Sequence, residues 1–156
     1  MAHASIRRNV DAPIERVWQL GTDLRRWPTW LEGLLEIGEV SGPDDQVGTT
    51  AVLVLKGPDG IHRLRLEVVT VDRPRMHAHV AAEIGGGMSY RSTIRLAEAT
   101  GGGTDFTWEQ DITAAPGLLR ALADRFLVRR MSERQMATSC DRFASLLRQG
   151  EATVGA

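Results

Sequence analysis

Two charged residues interrupt the apolar stripe of what reads as the longest helix of the chain, and they are the first candidates for chemistry. Leu122, Phe126, Met136, Cys140, Phe143 and Leu147 recur at helical spacing, and at about 100° per residue Arg129 and Glu133 fall in the same stripe. Their i,i+4 separation lets them pair. Facing a wet cavity, the pair would offer a polar handle to a ligand carbonyl or carboxylate; a kink or unwinding near Val128 to Ser132 would instead turn both into solvent. The spacing is compatible with either arrangement. A second set lies on strand-like rows: Met88, Tyr90, Ser92, Ile94 and Leu96 share one face by alternation, as do Phe106, Trp108, Gln110 and Ile112. A buried polar group left unpaired costs about 1 to 3 kcal/mol, so Tyr90, Ser92 and Gln110 on apolar faces point to water or a polar ligand atom nearby.

The remaining reactive residue types form no constellation. His77 and His79 share a strand face, but with no third ligand close in sequence they read as solvated strand residues, and no metal is expected. Cys140, the single cysteine, sits in the apolar stripe without an adjacent histidine and reads as a packing thiol. The runs Gly85 to Gly87 and Gly101 to Gly103 neither open a helix after a strand nor carry a phosphate-loop lysine, so they read as hairpin turns, and no cofactor is implied. Arg120, Arg125, Arg129, Arg130 and Arg134 cluster, yet Asp124 and Glu133 interrupt them. With a net charge of -1 and a pI near 6.4, nucleic acid is not an expected partner.

These residues need a scaffold, and 156 residues with 42% hydrophobic content suit one domain, residues 1–149, followed by a small polar tail, 150–156. No apolar run approaches the roughly 18 residues of a membrane span, and Met1 to Leu20 does not read as a signal peptide. The expectation is a cytoplasmic protein without integral membrane contact, a monomer or homodimer. Ala4 to Val10 reads as a strand running into Asp11-Ala12-Pro13, where proline suits a helix start. Two short helices follow, broken near Asp23 and Pro28. From Leu34, turn clusters such as Lys56-Gly57-Pro58-Asp59-Gly60 and Asp72-Arg73-Pro74 divide six strands, whose short connections favour an antiparallel meander. Pro116 to Gln149 reads as one long helix, leaving the concave face of the sheet one large element to pack against. In the strand after Gly60, apolar alternation turns Leu64, Leu66 and Val68 inward and Arg63, Arg65 and Glu67 outward, and a one-residue bulge would exchange the two sets.

Four stretches carry a resemblance: Val10-Asp11-Ala12-Pro13-Ile14-Glu15-Arg16-Val17-Trp18, Asp23 to Pro28, Val71-Asp72-Arg73-Pro74, and Gly103-Thr104-Asp105-Phe106-Thr107-Trp108. Over roughly Ser5 to Arg148 the chain resembles the START-like SRPBCC superfamily, in particular its polyketide cyclase/dehydratase and lipid-transport branch. The resemblance implies an α+β helix-grip fold, like that of birch-pollen allergens, with a curved antiparallel sheet around a long C-terminal helix. In cyclases resembling this chain, an arginine late in the strand after the Gly57 to Gly60 turn and a tyrosine after the second short helix line the pocket. Val69 and Leu34 stand in those places here, and that alignment implies the opposite strand parity. The leading expectation is a binder or carrier of an apolar, lipid-like or aromatic small molecule in an internal cavity. Its lining would be drawn from Trp30, Leu34, Leu64, Leu66, Met88, Tyr90, Ser92, Phe106, Trp108, Gln110, Leu122, Phe126, Arg129 and Glu133. The alternatives are a cyclase or dehydratase acting on a poly-β-ketone through Tyr90 and Arg129, and a regulatory interaction module.

Overall fold

The structure, a computed structural model, describes residues 2–57, 60–113 and 125–154, without the side chains of 125–127 and 151–154. Seven strands form one antiparallel sheet: β1 (Ala2–Val10), β2 (Leu34–Gly38), β3 (Thr50–Gly57), β4 (Gly60–Asp72), β5 (Met76–Glu83), β6 (Ser89–Glu98) and β7 (Thr104–Thr113). Their spatial order is β1-β7-β6-β5-β4-β3-β2, so β2 to β7 run as an uninterrupted meander and β1 closes onto the last strand. The turns predicted at Asp72 to Pro74, Gly85 to Gly87 and Gly101 to Gly103 are realised as short connections, from which antiparallel pairing follows, while residues 39–49 make a longer link between β2 and β3.

Between β1 and β2 the chain makes α1 (Ile14–Thr22), a single 3₁₀ turn (Leu24–Arg26) and α2 (Trp27–Trp30). Pro13 precedes the first turn of α1, its carbonyl accepting from the amides of Arg16 and Val17 at 3.0 and 3.1 Å. The Thr104 hydroxyl donates to the Ala12 carbonyl at 2.7 Å, tying this crossover to the start of β7.

The closing helix, α3 (Arg125–Val154), presents Met136, Cys140, Phe143 and Leu147 to the core. It is docked through the turn after α2. The Ser139 hydroxyl accepts from the Glu32 amide at 2.9 Å, Gln135 Nε2 donates to the Glu32 carbonyl, and Arg142 pairs with the Glu32 carboxylate at 2.6 Å. Gly33 makes this approach possible: its φ is +85°, and a Cβ there would lie 3.0 Å from Gln135 Nε2. At the far end Arg16 donates to the Leu147 carbonyl at 2.8 Å, over Gly150, whose missing side chain leaves the guanidinium room.

Two expectations about this helix change. Residues 150–154 continue it instead of beginning a loose tail, because Gly150 lies within helical hydrogen bonding that extends to Val154. The backbone stays helical through Val128 to Ser132, so the unwinding considered there does not occur. Residues 116–124, expected to open the helix, lie outside the described residues. Among the described residues no helix is long and apolar enough to cross a membrane.

Candidate functional site

Strand register decides which side chains line the concave face. His77 pairs with Ile94, His79 with Ser92 and Ala81 with Tyr90; across the next ladder Ile94 pairs with Trp108, Ser92 with Gln110 and Tyr90 with Ile112. On the other side Val68 lies opposite His79, Leu66 opposite Ala81 and Leu64 opposite Glu83. Leu64, Leu66 and Val68 are fully buried, while Arg63, Arg65 and Glu67 are exposed on the outer face. A bulge follows at once: Val69 has no partner, Thr70 pairs with Ala78, and Val71 turns inward opposite His77. Both parities therefore occur in this one strand, on either side of Val69.

His77 and His79 are not solvated. They are 1% and 5% exposed, because inward-facing Ile94 and Ser92 lie directly opposite and carry them inward. His79 Nε2 lies 3.3 Å from the Tyr90 hydroxyl and its ring 5.0 Å from that of Trp27. His77 Nε2 lies 3.2 Å from the Asp44 carbonyl, which can only accept, so the proton sits on Nε2. Its Nδ1 is then a buried lone pair with no partner among the described residues. Below them Trp108 Nε1 donates to the Ser92 hydroxyl at 2.9 Å.

Burial sets the charge state of this ladder. It lowers His77, and it lowers His79 to about 3, with the neighbouring His77 adding to the shift. Burial also pushes the Tyr90 phenol well above its ordinary value. At neutral pH all three groups are uncharged: they can donate or accept hydrogen bonds, but His79 does not take up a second proton and Tyr90 does not lose its own.

The other expected lining residues divide between the two ends of the face. Trp30 packs edge-on against Trp108 and Phe143, with ring centroids 6.1 and 4.9 Å away, and Phe106 stacks at a tilt on Phe143 at 5.3 Å. Leu34 is buried at the start of β2, opposite Leu55. Met88, Tyr90 and Gln110 are only partly buried, as are Leu55 and Ile112, so the upper end of the face stays accessible. There His62 Nδ1 meets the Glu83 carboxylate at 2.8 Å. Leu122 lies outside the described residues, as does the side chain of Phe126.

Arg129 and Glu133 do not form an internal handle. Their side chains are 60% and 39% exposed and pair with each other at 2.9 Å. Arg129 keeps the stripe direction at about 100° per residue, but among the described side chains burial along that face is found only from Ser132 and Met136 onward. The hairpin offers a signal for the two histidines: pairing about the Gly85 to Gly87 turn sets His79 opposite Ser92, whose inward direction follows from alternation. Among the described residues no group of three or more histidine, cysteine or acidic side chains could hold a metal.

Residues 1–148 match the family described as polyketide cyclase / dehydrase and lipid transport. No curated protein matches the chain in sequence. Among solved structures, a protein from Thermus thermophilus shares 19% identity at a TM-score of 0.77, covering 95% of this chain and 98% of that one. A START superfamily protein from Mycobacterium smegmatis shares 10% identity at 0.76, covering 96% and 99%. The di-domain ARO/CYC StfQ from the steffimycin biosynthetic pathway shares 11% identity at 0.76, covering 97% of this chain and 52% of that one. At these identities the structures speak for the shared helix-grip architecture alone, and the sequence match over nearly the whole chain speaks for kinship: the protein belongs to the polyketide cyclase / dehydrase and lipid-transport family.

Proposed function

We propose that the concave face binds a neutral, apolar small molecule, lipid-like or ring-containing, and orients it through the Tyr90 hydroxyl and Gln110. The observation that carries this reading is the uncharged polar ladder within an apolar wall: His79, neutral because it is buried, lies 3.3 Å from the phenol of Tyr90, among Leu64, Leu66, Val68 and Trp108. Apolar area supplies most of the affinity of such a site, about 25 cal/mol per Å² removed from water, and a few polar atoms set orientation.

Cyclisation of a poly-β-ketone is less well served. It would call for a group able to take up or give up a proton near neutral pH, together with compensation of developing negative charge. His79 is held too low for the first role, His62 at the open end is engaged by the Glu83 carboxylate at 2.8 Å, Arg129 is turned to solvent, and the strand position and the position after the second short helix carry Val69 and Leu34.

Native mass spectrometry of freshly purified protein tests the proposal. The expected result is a retained apolar ligand, released on denaturation, whose affinity falls about three- to tenfold in Tyr90→Phe, the worth of one neutral hydrogen bond. A chain that retains no ligand and whose tryptophan emission no apolar probe quenches would sink it. Turnover of an offered poly-β-ketone that disappears in Tyr90→Phe would replace it with the enzymatic reading.

A further inference from the structure

At the same upper end, on the outer face of the sheet, two branched aliphatic side chains stand in water. Ile61 is 67% exposed and Ile84 52%. The Ile84 amide donates to the Arg63 carbonyl at 2.9 Å, and Ile61 lies two residues before Arg63 in β4, so the two isoleucines are neighbours on one face. Isolated exposed apolar residues are ordinary; two adjacent ones inside a frame of cations are less so. Lys56 lies opposite Ile61, Arg63 stands between the isoleucines, and Arg65 follows in the next row. All three cations are exposed, and among the described residues none is in an ion pair. The carboxylate in these three rows is Glu36, opposite Val54; Asp59 belongs to the turn at 58–59, outside the described residues. Since the whole chain carries a net charge of -1, this positive excess is local.

Beside the corner a trough of about 540 Å³ crosses the outer face. Val80 and Ala82 form its floor, and Arg65 and Arg91 rise from the strands on either side, with Glu67 beside Arg65 and Asp111 opposite Arg91, so its own charges balance and the positive excess lies at the corner. The inner face of the same strand ends carries the accessible part of the concave wall, around Leu55, Met88 and Tyr90.

We propose that this corner docks the protein on an anionic phospholipid surface. Ile61 and Ile84 enter the boundary between headgroups and acyl chains, and Lys56, Arg63 and Arg65 meet the lipid phosphates. Charge complementarity selects this occupant, because a surface pairing two aliphatic tips with three exposed cations, none in an ion pair among the described residues, matches an apolar layer under a negative one. The contact brings the open end of the concave face to the bilayer. It does not depend on the proposed ligand, and the two stand or fall separately.

Cosedimentation of the full chain with phosphatidylcholine vesicles, with and without phosphatidylserine, tests the assignment. The chain is expected to pellet with the phosphatidylserine vesicles alone and to be released as salt is raised. The double variant Arg63→Glu with Arg65→Glu should weaken binding about tenfold or more, and Ile61→Ser with Ile84→Ser should also weaken it about tenfold while leaving the salt dependence in place. All four positions are exposed, so unchanged thermal unfolding of the variants separates docking from folding. A wild-type chain that stays in the supernatant overturns the proposal. An equal loss in Arg130→Glu, an exposed cation on α3, would make the binding a general charge effect and overturn it too. A dimer that Ile61→Ser with Ile84→Ser splits, without vesicle binding, would give the corner to a second copy of the chain. Ligand retention, read by native mass spectrometry, is expected to survive in all of these variants.

Discussion

The two ends of the concave face are built from the same sheet and yet differ in kind. At the lower end Trp27, Trp30, Phe106 and Phe143 are each no more than 2% exposed, because the second half of α3 presses Met136, Cys140 and Phe143 onto them. At the upper end Met88, Tyr90, Gln110 and Leu55 remain partly accessible. Alternation is equally good in both halves, so strand pattern does not account for the difference. What changes is the element opposite: among the described side chains the buried stripe of α3 runs from Ser132 to Leu147, and Arg129 is in water. The sheet thus packs as core where the described part of the helix bears on it, and its side chains stay partly accessible at the other end.

Truncation breaks this comparison most directly. Phe143→Ala should cost about 3 to 5 kcal/mol, the usual loss for a fully buried aromatic, whereas Met88→Ala at the accessible end should cost about 1 kcal/mol. Chemical denaturation of both variants measures the contrast, and equal losses would mean the two ends are packed alike.

Acid should act next most strongly, through the histidines between the two ends. His77 and His79 titrate lower in the folded chain than in the unfolded one, so the unfolded state binds more protons below the ordinary histidine pKa of 6.5. Stability is then fully present above about pH 6.5 and falls as pH drops toward about 3, by roughly 1.4 kcal/mol per pH unit for His79 alone. Asp44, pushed up by burial and by the charge of Asp23, runs the other way over the lower part of that range. Comparing unfolding of wild type and His79→Gln between pH 6.5 and 4.5 therefore isolates the histidine: the variant should show the shallower decline. Parallel curves would place the His79 ring in contact with water.

The smallest effect is expected at the top of the helix. Arg129→Ala removes an exposed i,i+4 pair and should change stability by less than about 0.5 kcal/mol, with ligand retention unaltered. A large loss of bound ligand in this variant would return Arg129 to the site.

Much of the architecture was legible because turn chemistry and alternation are local. Gly85 to Gly87 and Gly101 to Gly103 mark hairpins through residues that tolerate positive φ, and Leu64, Leu66 and Val68 announce their face by contrast with Arg63, Arg65 and Glu67. The candidate site was less so. In Met76-His77-Ala78-His79-Val80 neither parity is decisively apolar, and both His77 and Ala78 end up buried, so only pairing with Ser92 and Ile94 reveals which face the histidines occupy. Arg129 shows the converse: helical spacing predicts its direction but not its environment.

By itself, then, the amino-acid sequence determined the order of elements, the antiparallel meander and the apolar inner row of β4, which rest on near-neighbour periodicity and turn residues, and, through its resemblance to known members, the family to which the chain belongs. Tertiary structure alone decided three things. It placed a bulge at Val69 that reverses parity within β4, it drew two histidines beneath the sheet next to Tyr90, and it left Arg129 and Glu133 in solvent. Each depends on what lies across a ladder or across the core, and a side chain acquires its burial, partners and charge state from those distant residues rather than from its neighbours in the chain.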